Sequence, residues 1–561
     1  MKISEIRLLL ASGEQTITQF IAEVFARLNA YEDKSVWISL RSQEEVLAEA
    51  ATLDPSLPLY GIPFAVKDNI DVAGMPTTAA CPAFAYTPSE SAFVVDLLRE
   101  AGALLIGKTN MDQFATGLVG TRTPYGVCHS VFDSEFISGG SSSGSAVSVA
   151  AGLVAFSLGT DTAGSGRVPA AFNNIVGLKP TRGLLSLRGV VPACASLDCV
   201  SIFANGVEDA KTVFHLLAQC DPKDRWSRAM PELPSRRGSV RLGIPTHLEF
   251  FADQEYERLY HEAVASMESR GYTLLPIDLE PFLATARLLY GGAWVAERDH
   301  AVGEFIRTHP EEVDPTVRQI ITGVIPKTAV DAFSGFYELQ RLRSETAKIW
   351  KTTDALLLPT APTTYRIKEV LANPLELNSR LGTYTNFVNL LDLSALAIPA
   401  GFRSDGIPFG ITLVGPAFED HLLASIAIGS ATSRGMIPLA VVGAHLSGQP
   451  LNSQLTERGA LLVQTTTTSA AYRLYALPTT PPKPGLLRDE KQGATIEVEV
   501  WEMPVEKFGS FVNLVPHPLA IGTIELADGS WVKGFVCEPS PLADAPEITS
   551  HGGWRKYVTQ R

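Results

Sequence analysis

Between Gly139 and Arg167 the chain reads GGSSSGSAVSVAAGLVAFSLGTDTAGSGR, with seven serines among small residues and no histidine. A serine hydroxyl is a poor nucleophile until a base takes its proton. Histidine is the usual base. A buried lysine can replace it, because burial penalises the ammonium and lowers its pKa from a reference near ~10.4. Lys67, at the polar end of GIPFAVKDNI, is a lysine of this kind. It can act through a second hydroxyl, giving a Lys–Ser–Ser relay. In TDTAGS, the backbone N–H groups of Thr162, Ala163, Gly164 and Ser165 follow one another in a tight turn, which suits an oxyanion. Glycine and serine let backbones approach closely. Composition alone favours a Ser/Gly linker before a core helix, but VSVAAGLVAFSLG is too hydrophobic for a linker.

Two other motifs compete. Gly102 to Thr109, GALLIGKT, matches the phosphate-loop pattern. That loop must bend its N–H groups around phosphates and open a helix. Here the four middle residues are strand-forming and no helix start follows, so nucleotide binding is not expected. Gly140 to Gly144 fits a nucleophile elbow, but the elbow needs a buried strand before it, and FDSEFIS is polar and mixed. His129, His421 and His551 are available as bases, with nothing around them to recommend them.

These residues need a rigid frame. Ile17, Phe20, Ile21, Val24, Phe25 and Leu28 follow helical spacing, and Ser42 with Glu45 is a capping box before a second helix. GIPFAVKDNI and ALLIGKTN read as buried strands, as do ALLLPTAP and ALAIPAGF further on. Strands alternate with helical segments to about residue 220, and a more helical stretch covers about 255–350. The fold class expected is α/β, with a central mixed sheet flanked by helices over 1–435. Residues 436–455 read as a linker. From 456 to 561 a smaller α+β domain is expected: ATIEVEVWEMP alternates apolar and polar residues, and Asp528-Gly529 marks a hairpin.

At 561 residues, 45% hydrophobic and 19% charged, the chain is globular and long enough for two domains. A net charge of −14 disfavours nucleic acid and anionic membrane as partners. It leaves room for a small anionic substrate, which needs only one local cation. No apolar run is long enough to span a membrane, and MKISEIRLLLASGEQ reads as an amphipathic helix rather than a signal peptide. The six cysteines are scattered without CxxC spacing, so free thiols in a reducing cytoplasm are expected, with no metal site and no cofactor.

GGSSSGSAVSVAAGLVAFSLGTDTAGSGRVPAAFNNIVGLKPT resembles the amidase signature, and the resemblance extends over about 15–435, taking in GIPFAVKDNI and GALLIGKTNMDQF. It implies Ser165 as nucleophile, Ser141 as the bridging serine after a cis peptide bond, Lys67 as base, and the turn Thr162–Ser165 as oxyanion hole. Ser143 and Ala163 stand where many relatives carry glycine; both are small.

VPACASLDCVSIFA, LYGGAWVAER, GAHLSGQPLNSQLTERGA and the tail from YRLYALP to GGWRKY are similar to allophanate hydrolases. This narrower resemblance implies hydrolysis of allophanate, urea carrying an N-carboxylate, in urea or triazine/biuret degradation. It implies Tyr290 and Arg298 as substrate-binding residues and a homodimer as the assembly. The competing reading of Arg298 is an ion pair with Glu297 or Asp299 on a solvated helix face. For the C-terminal domain the resemblance suggests decarboxylation or dimer assembly, with His517 of LVPHPLAIG, in a Pro-flanked apolar setting, as the candidate group. The alternatives are the amidase subunit of glutamyl-tRNA(Gln) amidotransferase, which would not normally carry this tail, another small-amide amidase, and an inactive scaffold. Intact Lys67, Ser141 and Ser165 argue against a scaffold.

Overall fold

Runs of buried apolar residues form the strands that carry the serine-rich segment. The computed structural model describes residues 1–231, 239–323, 327–429, 436–479, 481–539, 542 and 545–560. They divide into two compact units, 1–231 with 239–429, and 436–560.

The first unit is an α/β layer structure around one mixed sheet of eleven strands. In chain order these are β1 (Trp37–Leu40), β2 (Pro63–Lys67), β3 (Leu104–Thr109), β4 (Phe156–Thr160), β5 (Val176–Lys179), β6 (Val200–Ala204), β7 (Arg241–Pro245), β8 (Thr273–Ile277), β9 (Ala355–Pro359), β10 (Ser394–Phe402) and β11 (Pro408–Gly415). Their order across the sheet is β1-β3-β2-β4-β6-β5-β10-β11-β9-β7-β8. β2 runs parallel to both β3 and β4, and Phe64 faces Phe156 across the β2–β4 pair with stacked rings 5.4 Å apart. All three strands are buried throughout, as near-continuous apolar runs inside a helix-covered sheet should be.

The helix Ile17–Ala30 buries the five residues Phe20, Ile21, Val24, Phe25 and Leu28, and the capping box at Ser42 and Glu45 opens the helix Gln43–Ala50. The small-residue helix Ser143–Ala150 is buried against the sheet. A Cβ on Gly144 would lie 2.3 Å from the Val36 carbonyl oxygen, so this position requires glycine. GALLIGKT is β3, and Lys108 is sealed inside the protein on Asp68 (3.2 Å), Thr77 Oγ1 (2.6 Å) and the Pro76 carbonyl (2.9 Å), with no bend around a phosphate.

In the second unit, β12 (Met436–Val441), β13 (Leu461–Thr467), β14 (Tyr472–Leu477), β15 (Lys483–Arg488), β16 (Glu497–Pro504), β17 (Leu519–Glu525) and β18 (Trp531–Cys537) follow in sequence. Five of them form a sheet in the order β13-β16-β12-β18-β17, while β14 and β15 pair separately. One expectation needs correction. Residues 436–455 are not a linker: β12 is the middle strand of this sheet, and Leu439, Ala440, Val441, Val442, Leu446 and Leu455 lie in its core. Its Gly, Pro and Ser content suggested a linker, but a short apolar run needs cover and finds it here. β16 alternates apolar and polar residues as read, with one of its glutamates inside. Glu499 is buried, holding Ser447 N (2.8 Å), Trp501 Nε1 (3.1 Å) and Arg555 (2.5 Å), so an alternating pattern here reflects a paired carboxylate rather than exposure. β17 and β18 form the hairpin, with Gly529 at φ +83° in its turn. All six cysteines are unpaired.

Candidate active site

β2 and β4 end side by side, and that places Lys67 beside Thr160. Lys67 is fully buried. Its Nζ lies 2.7 Å from Ser141 Oγ and 2.8 Å from Thr160 Oγ1. Burial takes Lys67 from its ordinary 10.5 down to about 7; the carboxylates of Asp112, Asp198 and Asp161 oppose this, and Arg298 adds to it. A lysine in that range supplies a neutral amine near neutral pH.

Ser141 is held by backbone. Gly139 has φ +74°, and the Gly140–Ser141 peptide bond is cis. The Ser141 carbonyl accepts from Asp112 N (3.1 Å), and a Cβ on Gly140 would come within 2.1 Å of Asp112 Oδ2. The neighbouring serines are anchors. Ser142 Oγ donates to the Thr160 carbonyl (3.1 Å), Ser143 Oγ to the Asn110 carbonyl (3.3 Å) and Ser145 Oγ to the Leu158 carbonyl (3.1 Å). Asp112 in turn collects the N–H groups of Val119, Gly120 and Arg122 on its carboxylate.

β4 runs out into the turn that bears Ser165. Asp161 organises this turn: its carboxylate accepts from Gly164 N (2.9 Å), Gly166 N (3.0 Å) and both arms of Arg167 (2.9 Å each). Burial works against its charge, but Arg167, Lys179 and the Gly166 N–H together outweigh burial and hold Asp161 below the usual carboxylate range. Gly164 has φ +135°, and a Cβ there would lie 2.4 Å from Thr385 Oγ1. Because the Gly164 N–H is already taken by Asp161, it is no longer a free donor of the expected oxyanion hole. The N–H groups of Thr162, Ala163 and Ser165 carry no acceptor among the described residues. Ser165 is buried, and its Oγ lies 3.5 Å from the Gly117 carbonyl. Gly117 packs on the Asp112 carboxylate, so the loop 112–120 links the Ser165 turn to the Ser141 backbone.

Arg298, on the helix Trp294–Thr308, is 2% exposed. Its Nη1 donates to Thr116 Oγ1 (3.1 Å), and its guanidinium carbon lies 5.4 Å from the centre of the Tyr290 ring. The alternative ion pairs are not formed. Glu297 receives Ser196 N and Oγ (2.8 and 2.7 Å), and Asp299 pairs with Arg307. Lys67, Ser141, Ser165, the Thr162 turn and Arg298 are thus linked through one loop, which contributes Asp112, Thr116 and Gly117. Sequence reasoning missed Asp112, Thr116, Thr160 and Asp198. Their types carry no motif, and the run GALLIGKTNMDQF was the available signal for Asp112.

Histidine takes no part in this cluster. His129 faces Asp33 (3.5 Å), the His421 ring stacks on His215 (4.9 Å), and His551 meets Gln560 (2.9 Å). In the second unit His517 is not in an apolar setting: its side chain is 75% exposed beside Glu538 (3.4 Å). The half-buried imidazole there is His445. It stacks on Phe535 (4.9 Å), meets Gln454 Oε1 through Nε2 (3.0 Å) and lines a small cavity of about 20 Å³ together with Lys483. Burial holds its pKa below the ordinary value. Reading 436–455 as a linker hid it.

The large mixed sheet with a buried lysine–serine pair at the end of its inner strand β2 defines an amidase. The amidase family model matches residues 19–424, and the chain belongs to this family. The model of the allophanate hydrolase C-terminal domain matches 437–559. The chain is 46% identical over 593 residues to the urea amidolyase of Saccharomyces cerevisiae, covering 98% of this chain and 32% of that protein. It therefore spans about a third of the length of such curated relatives. The structure of Kluyveromyces lactis allophanate hydrolase is similar at 43% identity with a TM-score of 0.73, covering 100% of this chain and 99% of that one. A glutamyl-tRNA(Gln) amidotransferase component from Picosynechococcus sp. is 32% identical, covering 74% of this chain and 95% of that protein.

Proposed function

We propose that this chain hydrolyses allophanate by a Ser165–Ser141–Lys67 acyl-enzyme mechanism. The observation that carries the reading is Lys67 Nζ at 2.7 Å from Ser141 Oγ in a site that holds the lysine near pKa 7. Ser165 Oγ attacks the amide carbonyl as Ser141 takes its proton and passes its own to Lys67. The N–H groups of Thr162, Ala163 and Ser165 receive the oxyanion. The relay returns a proton to the nitrogen, the C–N bond breaks and ammonia leaves. Water, deprotonated by the same relay, then releases N-carboxycarbamate and restores Ser165.

Arg298 supports an anionic substrate: a buried guanidinium bonded to one threonine hydroxyl keeps donors for a carboxylate. The match of 437–559 to the allophanate hydrolase C-terminal domain favours this substrate over the aminoacyl-tRNA reading. The test is ammonia release by the purified protein from allophanate, biuret, malonamide and glutamine. Allophanate should give the highest kcat/KM, and preference for glutamine would reverse the reading.

In the second unit, His445 beside Lys483 is a better candidate than His517 for a group that assists loss of CO2. A homodimer would cover Val330, Phe333, Phe336 and Tyr337, which stand exposed on the helix Ala329–Thr346. Scattered unpaired cysteines support a reducing, cytoplasmic setting. None of the described helices is long and apolar enough to cross a membrane.

A further inference from the structure

Asp198 lies outside the lysine–serine relay, yet it touches both sides of the site. It is buried, and its carboxylate gathers the Thr162 hydroxyl, Ala193 N (2.9 Å) and Cys194 N (3.2 Å). Thr162 opens the turn whose free N–H groups face an oxyanion. The backbones around the two residues are also clamped. Asp161 N donates to the Cys199 carbonyl (2.8 Å), Cys199 N donates back to the Asp161 carbonyl (3.1 Å), and Asn389 Nδ2 bridges the Asp161 and Leu197 carbonyls at 2.8 Å each. On its other side the same loop bears on the Arg298 helix, through Cys194 Sγ at the Trp294 carbonyl (3.5 Å) and Ser196 at Glu297.

We propose that Asp198 is a positioning residue for amide hydrolysis: its carboxylate ties the oxyanion turn at Thr162 to the loop that bears on the Arg298 helix. This rests on the Ser165–Ser141–Lys67 reading. Burial pushes Asp198 up to about 6, which leaves it ionised at neutral pH.

The experiment compares Asp198→Asn, Thr162→Val and Thr162→Ser with the parent and with Ser165→Ala. It measures kcat and KM on malonamide and allophanate. Asp198→Asn should lower kcat about 10- to 100-fold with KM within about twofold, since it misplaces transition-state donors rather than substrate. Thr162→Val should lower kcat similarly, and Thr162→Ser should restore it. A folded Asp198→Asn enzyme with parental kcat would overturn the proposal. Parental kcat in Thr162→Val would overturn the positioning role, and that variant decides the question if Asp198→Asn does not fold. Turnover surviving in Ser165→Ala would instead sink the hydrolysis reading itself.

Discussion

Lys67 Nζ reaches Ser141 Oγ at 2.7 Å although 74 residues separate them in the chain. Lys67 comes from the end of a central parallel strand. Ser141 comes from the glycine turn that starts the small-residue helix. Burial lowers Lys67 to about 7, so the amine that meets Ser141 can be neutral near neutral pH.

Removing the relay should remove the activity. Ser165→Ala and Lys67→Ala should each lower kcat for ammonia release by about 10⁴-fold or more, as losses in nucleophile–base units generally do. Ser141→Ala should lose a large part, because the base no longer reaches the nucleophile. Ser142→Ala gives up two buried bonds, one donated to the Thr160 carbonyl (3.1 Å) and one accepted from Thr160 N (3.4 Å), and should cost about 1–2 kcal/mol of stability, read as a lowered Tm, with little change in kcat. Equal losses in Ser142→Ala and Ser165→Ala would mean that the serines act only as packing.

The pH dependence follows from Lys67. Its pKa is lowered to about 7, and the proposed relay needs the neutral amine, so protonation below that value should remove the base. For the neutral substrate malonamide, kcat/KM should rise with pH through a midpoint near 7 and then level off. A limb centred near the ordinary lysine value of 10.5 would show that the site does not depress Lys67.

Arg298 should separate charged from neutral substrates. Arg298→Ala should raise KM for allophanate about 10- to 150-fold, the equivalent of ~1.5–3 kcal/mol for one charge-assisted contact. Malonamide should lose much less. If both substrates suffer alike, Arg298 supports the Thr116 loop rather than the substrate carboxylate.

The place where the chain is cut should decide whether the first unit survives alone. A protein ending at 429 should stay soluble and release ammonia from allophanate. One ending at 450 keeps β12 without the strands that flank it, exposing Leu439, Ala440, Val441 and Val442, and should aggregate. Light scattering and an ammonia assay on both proteins check this. A soluble 1–429 protein that releases no ammonia would show that the first unit does not carry the chemistry alone.

Much of this site was legible in the chain. Helical spacing at Ile17 to Leu28, the Ser42 and Glu45 capping box and the apolar runs of β2, β3 and β4 all report local preferences, which neighbouring residues largely determine. The Ser/Gly segment without histidine already called for a lysine base, and GALLIGKT betrayed itself as a strand by its strand-forming middle.

What only the tertiary structure decided depends on partners distant in sequence. The lowered pKa of Lys67 is a property of its burial among Asp112, Asp161, Asp198 and Arg298, which no single stretch brings together. Arg298 looked like a solvated helix residue between two acids until packing took Glu297 to Ser196 and Asp299 to Arg307. The Gly164 N–H seemed free until Asp161 turned its carboxylate back onto it. The supposed linker became the central strand β12 because its apolar residues found strands to cover them. Residue types set the chemistry available to the chain; burial and long-range pairing decided which groups stay charged, which donors stay open and which residues meet.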